Sequence, residues 1–476
     1  MNRTFLFLAS AAVLLILAVV MGLPLAHVAT PVPNPPPQNP PPPDQPKPPD
    51  AHPGSLSMTG RLSHPYVLPG TNDVFATFEI SAVDVPGAGR APVNLAVVID
   101  RSGSMQGAKI AQARRAASRL VEMLNENDRL AIVHYGTDVE VLPGIFATPE
   151  NKVKMQRFIA NISENGGTNI GDGLVAGQAQ IEKAKSDFRV NRLLLLSDGN
   201  PTVGITSPNG LANVVRRVRD AGISVTSLGV GADFNEDLMQ KLADVGGGSY
   251  GFISNAEATA ALFERDLQQA ATMVARGAAL QLTPPPGVRF VQVFGRPVSQ
   301  SGEAVTVSLP DFSARQVEKV VVQLAVSPSV RGGSIDIGSF QLTYSDLLTE
   351  KPADARVSLA AMVTDDGTLA MNKRDKDATV LATKARAAAN YKLAADAIER
   401  GDFGFAQKTL QKNETLFEDA EAIGGGGAVA DERATNQGLF GLSTAAPAAA
   451  PELRRETVKE MKTQSLKSSG RGASVY

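Results

Sequence analysis

Between residues 93 and 275, short apolar runs alternate with amphipathic segments several times. The apolar runs are Val93–Ile99, Leu130–Tyr135, Leu193–Leu196 and Val225–Val230. Their continuous hydrophobicity is typical of parallel strands covered on both faces. Between two of them, Lys109–Leu124 carries apolar residues at helical spacing. The alternation predicts an α/β fold, with a doubly wound, parallel, Rossmann-like sheet over residues 93–275.

Strand-like alternation flanks this segment on both sides. In residues 55–92 the clearest run is Val74–Ile80, and the runs there are too few for an independent sandwich. A second set lies in residues 276–372 and includes Val320–Val326. We expect the two sets to join in one β-sandwich framework, with the α/β domain inserted into it.

The C-terminal part of the chain is rich in alanine and helical in pattern. Residues 373–423 predict a helical hairpin that breaks at Gly401 and restarts at Asp402 as an N-cap. The junction resembles that of a single tetratricopeptide-repeat unit, but one such unit does not make a stable array. Residues 424–476 begin with four glycines and predict a flexible, Gly/Ala-rich and mildly basic tail.

The chain begins with an almost unbroken apolar run, Phe5–Ala26, inside residues 1–29. Its length suits a membrane anchor, and a cleaved signal peptide is the alternative. Residues 30–54 follow, in which 13 of 25 positions are proline, and they predict an extended linker. Either interpretation exports the rest of the chain to a bacterial cell envelope, as periplasmic or cell-surface protein.

Composition narrows the chemistry. The 476 residues carry a net charge of −2 and show no basic patch, which argues against nucleic-acid binding. Cysteine is absent and only four histidines are present. Disulfides, thiolate catalysis and Cys-ligated metals are thereby excluded, and a multi-histidine metal centre is disfavoured. Any bound metal must therefore be held by oxygen ligands.

Oxygen-bearing side chains cluster at the turns that follow the predicted strands. Asp100 ends the first strand, and Ser102 and Ser104 are alternate residues in the next turn. Thr168 lies in a glycine-rich turn before another helix, and Asp198 follows the most apolar strand. We expect three neighbouring strand ends to bring these groups together, because ligands bind at the carboxyl ends of strands in such sheets. Hydroxyls and two carboxylates suit Mg²⁺.

In this order, Asp100-x-Ser102-x-Ser104, Thr168 and Asp198 resemble the metal-ion-dependent adhesion site of von Willebrand factor type A (VWA) domains. The resemblance implies that both serines bind the metal directly, that both aspartates bind it directly or through water, and that Thr168 joins when a ligand is bound. It implies Mg²⁺, with Mn²⁺ or Ca²⁺ as alternatives, and a protein or peptide partner that supplies an Asp or Glu carboxylate. The flanking strands and leader resemble exported bacterial proteins of the inter-alpha-trypsin inhibitor heavy-chain-like type.

We expect adhesion or protein binding rather than catalysis. One alternative is a passive scaffold of the cell envelope. Another is a metal-dependent hydrolase, or a nucleophilic arrangement of Ser102, His134 and Asp198. His134 closes an apolar strand, where a packed core residue is the better interpretation. The sequence contains neither a His-Glu-x-x-His motif nor a phosphate-binding loop.

Overall fold

The computed structural model describes residues 54–85, 91–231, 233–253, 256–329 and 331–469. The predicted leader (1–29) and almost all of the predicted linker (30–54) lie outside these residues. The described chain opens with three strands, β1 (Leu56–Leu62), β2 (Tyr66–Val67) and β3 (Asn72–Ala82). It then enters the α/β domain.

The α/β domain contains one six-stranded sheet with helices on both faces. Its strands are β4 (Val93–Asp100), β5 (Arg129–Tyr135), β6 (Val139–Phe146), β7 (Val190–Ser197), β8 (Ser224–Val230) and β9 (Gly247–Ile253). The strand order is β6-β5-β4-β7-β8-β9, and only β6 is antiparallel to its neighbour. The predicted doubly wound, parallel, Rossmann-like sheet is confirmed.

Six α-helices of the described residues cover this sheet. They are α1 (Ala108–Met123), α2 (Pro149–Ala160), α3 (Ile170–Glu182), α4 (Pro208–Asp220), α5 (Glu236–Gly246) and α6 (Ala256–Ala271). Buried residues of α1, α2 and α6 form one core with the sheet, and those of α3, α4 and α5 form the other. The two cores explain why the central strands β4 and β7 are buried at every position.

The chain then forms the rest of the framework. Its strands are β10 (Met273–Leu282), β11 (Val288–Val293), β12 (Val298–Ser301), β13 (Ala304–Ser308), β14 (Phe312–Ser313), β15 (Val317–Val326), β16 (Ser334–Asp346) and β17 (Lys351–Val363). One sheet has the order β1-β3-β15-β11; the other has the order β12-β13-β10-β16-β17-β2, with β14 beside β10.

Pairing across the insertion closes the sandwich. Strand β3 precedes the α/β domain and β15 follows it, yet they pair along their lengths, with Phe78 opposite Val320. Between the sheets, the rings of Phe78 and Phe340 lie 4.4 Å apart, centre to centre. The strands on either side of the α/β domain therefore share one hydrophobic core, as the sequence analysis expected.

Five helices complete the described chain. They are α7 (Gly367–Asn372), α8 (Lys376–Glu399), α9 (Phe403–Gly424), α10 (Ala430–Ala445) and α11 (Pro451–Ser468). The side chain of Asp402 caps α9 by accepting a hydrogen bond from the Phe405 N–H at 3.1 Å, as predicted. Ala382 and Ala385 of α8 pack on the outer face of the framework against Phe75.

The prediction of a flexible tail from residue 424 is wrong up to residue 469. Helices α10 and α11 pack on α8 and α9, and Leu439, Val458 and Met461 join their core. The sequence pattern did not indicate that α10 and α11 are packed, because polar residues occupy part of their buried face. Buried Asn413 and Asn436, for example, form a hydrogen bond of 2.9 Å between α9 and α10.

This packing predicts unequal effects of two truncations in α11. Met461 is fully buried, whereas Leu453 is 46% exposed. Met461→Ala should lower the free energy of unfolding by about 2–5 kcal/mol because it leaves a cavity. Leu453→Ala, the matched control, should change it by less than about 1 kcal/mol. Denaturation of the full chain measures both, and equal small effects would mean that α11 is not docked.

Candidate functional site

The turn after β4 gathers the first three candidate residues. Asp100 is fully buried at the end of β4, and its Oδ1 accepts the Ser102 N–H at 2.9 Å. Its Oδ2 accepts the hydroxyl of Ser197, the last residue of the neighbouring strand β7, at 2.6 Å. The hydroxyl oxygens of Ser102 and Ser104 lie 3.1 Å apart. Ser102 is buried and Ser104 is exposed, so the hydroxyl pair leads from the carboxylate towards solvent.

Thr168 reaches the same edge of the sheet by another route. The sequence analysis expected Thr168 at the end of a strand, but it lies in the loop between α2 and α3. Its N–H donates to Thr202 Oγ1 at 2.9 Å, and its carbonyl accepts the N–H groups of Thr202 and Val203. In the same loop, the Gly166 carbonyl accepts the Gly103 N–H at 3.0 Å. The loop is thus attached to the turns after both β4 and β7.

Asp198 follows β7 directly and is fully buried. Its Oδ2 accepts a hydrogen bond from Lys109 Nζ at 3.2 Å. Its Oδ1 is also buried, but it accepts no hydrogen bond from any residue that the structure describes. A buried carboxylate oxygen without a partner is costly, and coordination to a cation would offset that cost. The orphaned oxygen therefore fits a cation at this position.

Burial and polar contacts shift the pKa values of Asp100 and Lys109. Burial raises the pKa of Asp100 to about 6, and the nearby charge of Asp198 acts in the same direction, against the hydrogen bonds from Ser102 and Ser197. Burial also opposes the charge of Lys109, but its contacts with Asp233 and Asp198 prevail and raise its pKa. A cation between the carboxylates would therefore compete with a proton on Asp100 in mildly acidic solution.

The donor set limits what can bind. Among the described residues, no group of three or more histidine, cysteine, aspartate or glutamate side chains is arranged to hold a metal. A cation at this edge would have to combine the carboxylates of Asp100 and Asp198 with the hydroxyls of Ser102, Ser104 and Thr168. Such an all-oxygen set with few carboxylates fits Mg²⁺, which keeps several waters.

His134 has no place in this arrangement. It is buried on β5, with its ring 5.2 Å from that of Phe158 and its Nε2 3.7 Å from a carboxylate oxygen of Glu140. Burial lowers its pKa. It is the packed residue that the sequence predicted.

Gly247–Gly251 fits the Gly-x-Ser-x-Gly sequence pattern of a nucleophile elbow. However, it lies within β9, and Ser249 is buried, whereas the nucleophile of an elbow is exposed.

The sequence analysis missed three residues that surround the site, namely Ser197, Lys109 and Asp233. Ser197 looked like the end of an apolar strand. Lys109 is the second residue of α1, where a positive charge opposes the helix dipole. That unfavourable position is the signal that could have identified it. Asp233 carried no comparable signal.

Comparison with known proteins gives a consistent result. The family model of the von Willebrand factor type A domain matches residues 94–267. YfbK of Escherichia coli (strain K12), an uncharacterized protein, is 32% identical over 192 residues, which are 40% of this chain and 33% of that protein. Human inter-alpha-trypsin inhibitor heavy chain H4 is 35% identical over 164 residues, which are 33% of this chain and 18% of that protein. The chain thus spans a third or less of these relatives.

Two solved structures share the fold more widely. A von Willebrand factor type A protein from Catenulispora acidiphila has a TM-score of 0.66 at 17% identity and covers 88% of this chain and 97% of its own. The ArnB paralog VWA2 from Sulfolobus acidocaldarius has a TM-score of 0.53 at 19% identity and covers 86% and 99%. The similarity extends well beyond residues 94–267. The predicted VWA domain is confirmed.

Proposed function

We propose that the VWA domain of this chain holds one divalent cation and captures the carboxylate of a protein partner through it. VWA domains commonly bind a divalent metal and mediate protein–protein interaction or adhesion. The proposed ligands are Asp100, Ser102, Ser104, Thr168 and Asp198. The proposed metal is Mg²⁺, with Mn²⁺ or Ca²⁺ as substitutes. The observation that carries the proposal is the buried, unpartnered Oδ1 of Asp198 beside buried Asp100.

The small number of carboxylates supports a binding role. A divalent cation bound there would supply positive charge and an open coordination position. Two aspartates match the formal charge of the cation, but the hydroxyls are neutral and add no negative charge. The cation would therefore still attract an external carboxylate. Ser104 is exposed and offers the solvent side of the site. A hydrolase that uses Ser102, His134 and Asp198 is less well supported, because the buried His134 lies against Phe158 and Glu140.

Metal binding should stabilise the folded chain. Mg²⁺ at 100 times its dissociation constant should raise the free energy of unfolding by about 2.7 kcal/mol, because only the folded state holds the ligands together. The rise should be absent in Asp100→Ala and intact in Asp220→Ala, which alters an exposed aspartate at the end of α4. Thermal denaturation with Mg²⁺ or EDTA measures it. An equal rise in Asp100→Ala would place the metal elsewhere.

The partner's carboxylate can be tested with the smallest probe that carries one. Acetate should displace water from protein-bound Mn²⁺ and lower the water-proton relaxivity, whereas acetamide, which has the same shape without the charge, should not. Both are titrated into the Mn²⁺-saturated chain, with the Asp100→Ala variant as the control. Equal responses to acetate and acetamide would contradict recognition of a carboxylate.

We also propose that the domain acts outside the cytoplasm, tethered by residues 1–54. The support is the apolar run Phe5–Ala26 and the proline-rich segment after it. Among the described residues, no helix is both long and apolar enough to cross a membrane.

A reporter fusion tests the proposed export. Residues 1–54 fused to alkaline phosphatase, which requires disulfides, should give active enzyme in a bacterial host, and deletion of Phe5–Ala26 should abolish the activity. Activity in the membrane fraction would support the anchor, and activity in the soluble periplasmic fraction would support a cleaved signal peptide. An inactive full fusion would contradict export.

A further inference from the structure

One charged side chain at the proposed site is not among its proposed ligands. Lys109 Nζ contacts Asp198 Oδ2 at 3.2 Å and Asp233 Oδ1 at 2.8 Å. The lysine side chain is mostly buried, with 16% exposed, whereas that of Asp233 is 56% exposed. The ammonium group thus lies between a buried carboxylate of the site and a solvent-facing carboxylate outside it.

The surrounding backbone leaves room for the lysine in this position. Gly231 follows β8 with φ +86°, and a Cβ there would approach Lys109 Cε to 2.6 Å. Gly231 therefore leaves room for the lysine chain, which a side chain at this position would displace. The position of Lys109 in the first turn of α1 is electrostatically unfavourable for the helix itself. The contacts with the two aspartates, rather than helix stability, account for a lysine here.

From this geometry we propose that Lys109 is a positioning residue that sets the charge of the metal site. It holds Oδ2 of Asp198 and leaves Oδ1 available for the cation. Its positive charge also offsets part of the negative charge of Asp100 and Asp198. A bound cation then keeps more of its own charge for the partner's carboxylate, at the expense of weaker metal binding. Asp233 moderates this effect from the solvent side. The inference rests on the proposed function.

Substitutions that remove the charge of Lys109 or of Asp233 provide the test, because their effects should be opposite. Lys109→Met should tighten Mn²⁺ binding and weaken the subsequent binding of acetate, each by about fivefold to tenfold, because a unit charge a few ångströms away is lost. Asp233→Asn should shift both constants in the reverse direction, since it leaves the lysine charge less compensated. Lys183→Met is the matched control, because it lies at the far end of α3, at its C-cap, and should change neither.

Mn²⁺ affinity is measured by calorimetry, and acetate affinity by the relaxivity of the Mn²⁺-saturated protein. A purely structural role for Lys109 would weaken both affinities in Lys109→Met, and that result, or no change, would overturn the inference. If Lys109→Met does not fold, Asp233→Asn alone tests the inference, because it should weaken Mn²⁺ binding and strengthen acetate binding. A wild-type chain that binds no Mn²⁺ would instead refute the proposed function, and the inference with it.

Discussion

Two carboxylates buried side by side impose the main electrostatic constraint on this molecule. Strands β4 and β7 pair in parallel, with Ile99 opposite Leu196, so Asp100 and Asp198 emerge at the same edge of the sheet. Neither is exposed to solvent. Burial of charge without compensation is expensive, and the chain compensates only partly, through hydroxyl and backbone donors at Asp100 and one ammonium group at Asp198. A cation would neutralise the negative charge that remains uncompensated.

The rest of the fold holds this edge in place. The pairing of β3 with β15 joins the framework strands that precede and follow the inserted α/β domain. At its exit, α6 ends at Ala271 and β10 begins at Met273, which leaves a single residue between domain and framework. On the side of α5, Lys462 of α11 forms an ion pair of 3.3 Å with Asp237. Because Asp237 is 57% exposed, this ion pair contributes little to stability and serves mainly to orient α5 against α11.

The sequence predicted the central features because they depend on local and strongly periodic patterns. Continuous apolar runs identified β4 and β7, and the residues that end such strands identified Asp100 and Asp198. The edge strand β6 was missed because it is half exposed and interrupted by Pro143-Gly144. The position of Thr168 on a loop without a strand could not be predicted, since the hydrogen bonds that hold it join distant segments.

Other features depend on packing that no local pattern reveals. Helices α10 and α11 bury few large apolar side chains, and their fit against alanine-rich α8 is a tertiary property. The bridge from Asp198 through Lys109 to Asp233 connects residues separated by 89 positions on one side and 124 on the other. Only the folded sheet brings the three together.

A crystal structure of the Mn²⁺-soaked chain, with anomalous diffraction data, tests the central claim most directly. It should show one ion next to the hydroxyls of Ser102 and Ser104 and near Asp198 Oδ1, with at least one coordination position taken by water or by an external carboxylate. An ion surrounded entirely by protein ligands, or the five side chains pointing away from a common centre, would contradict the account.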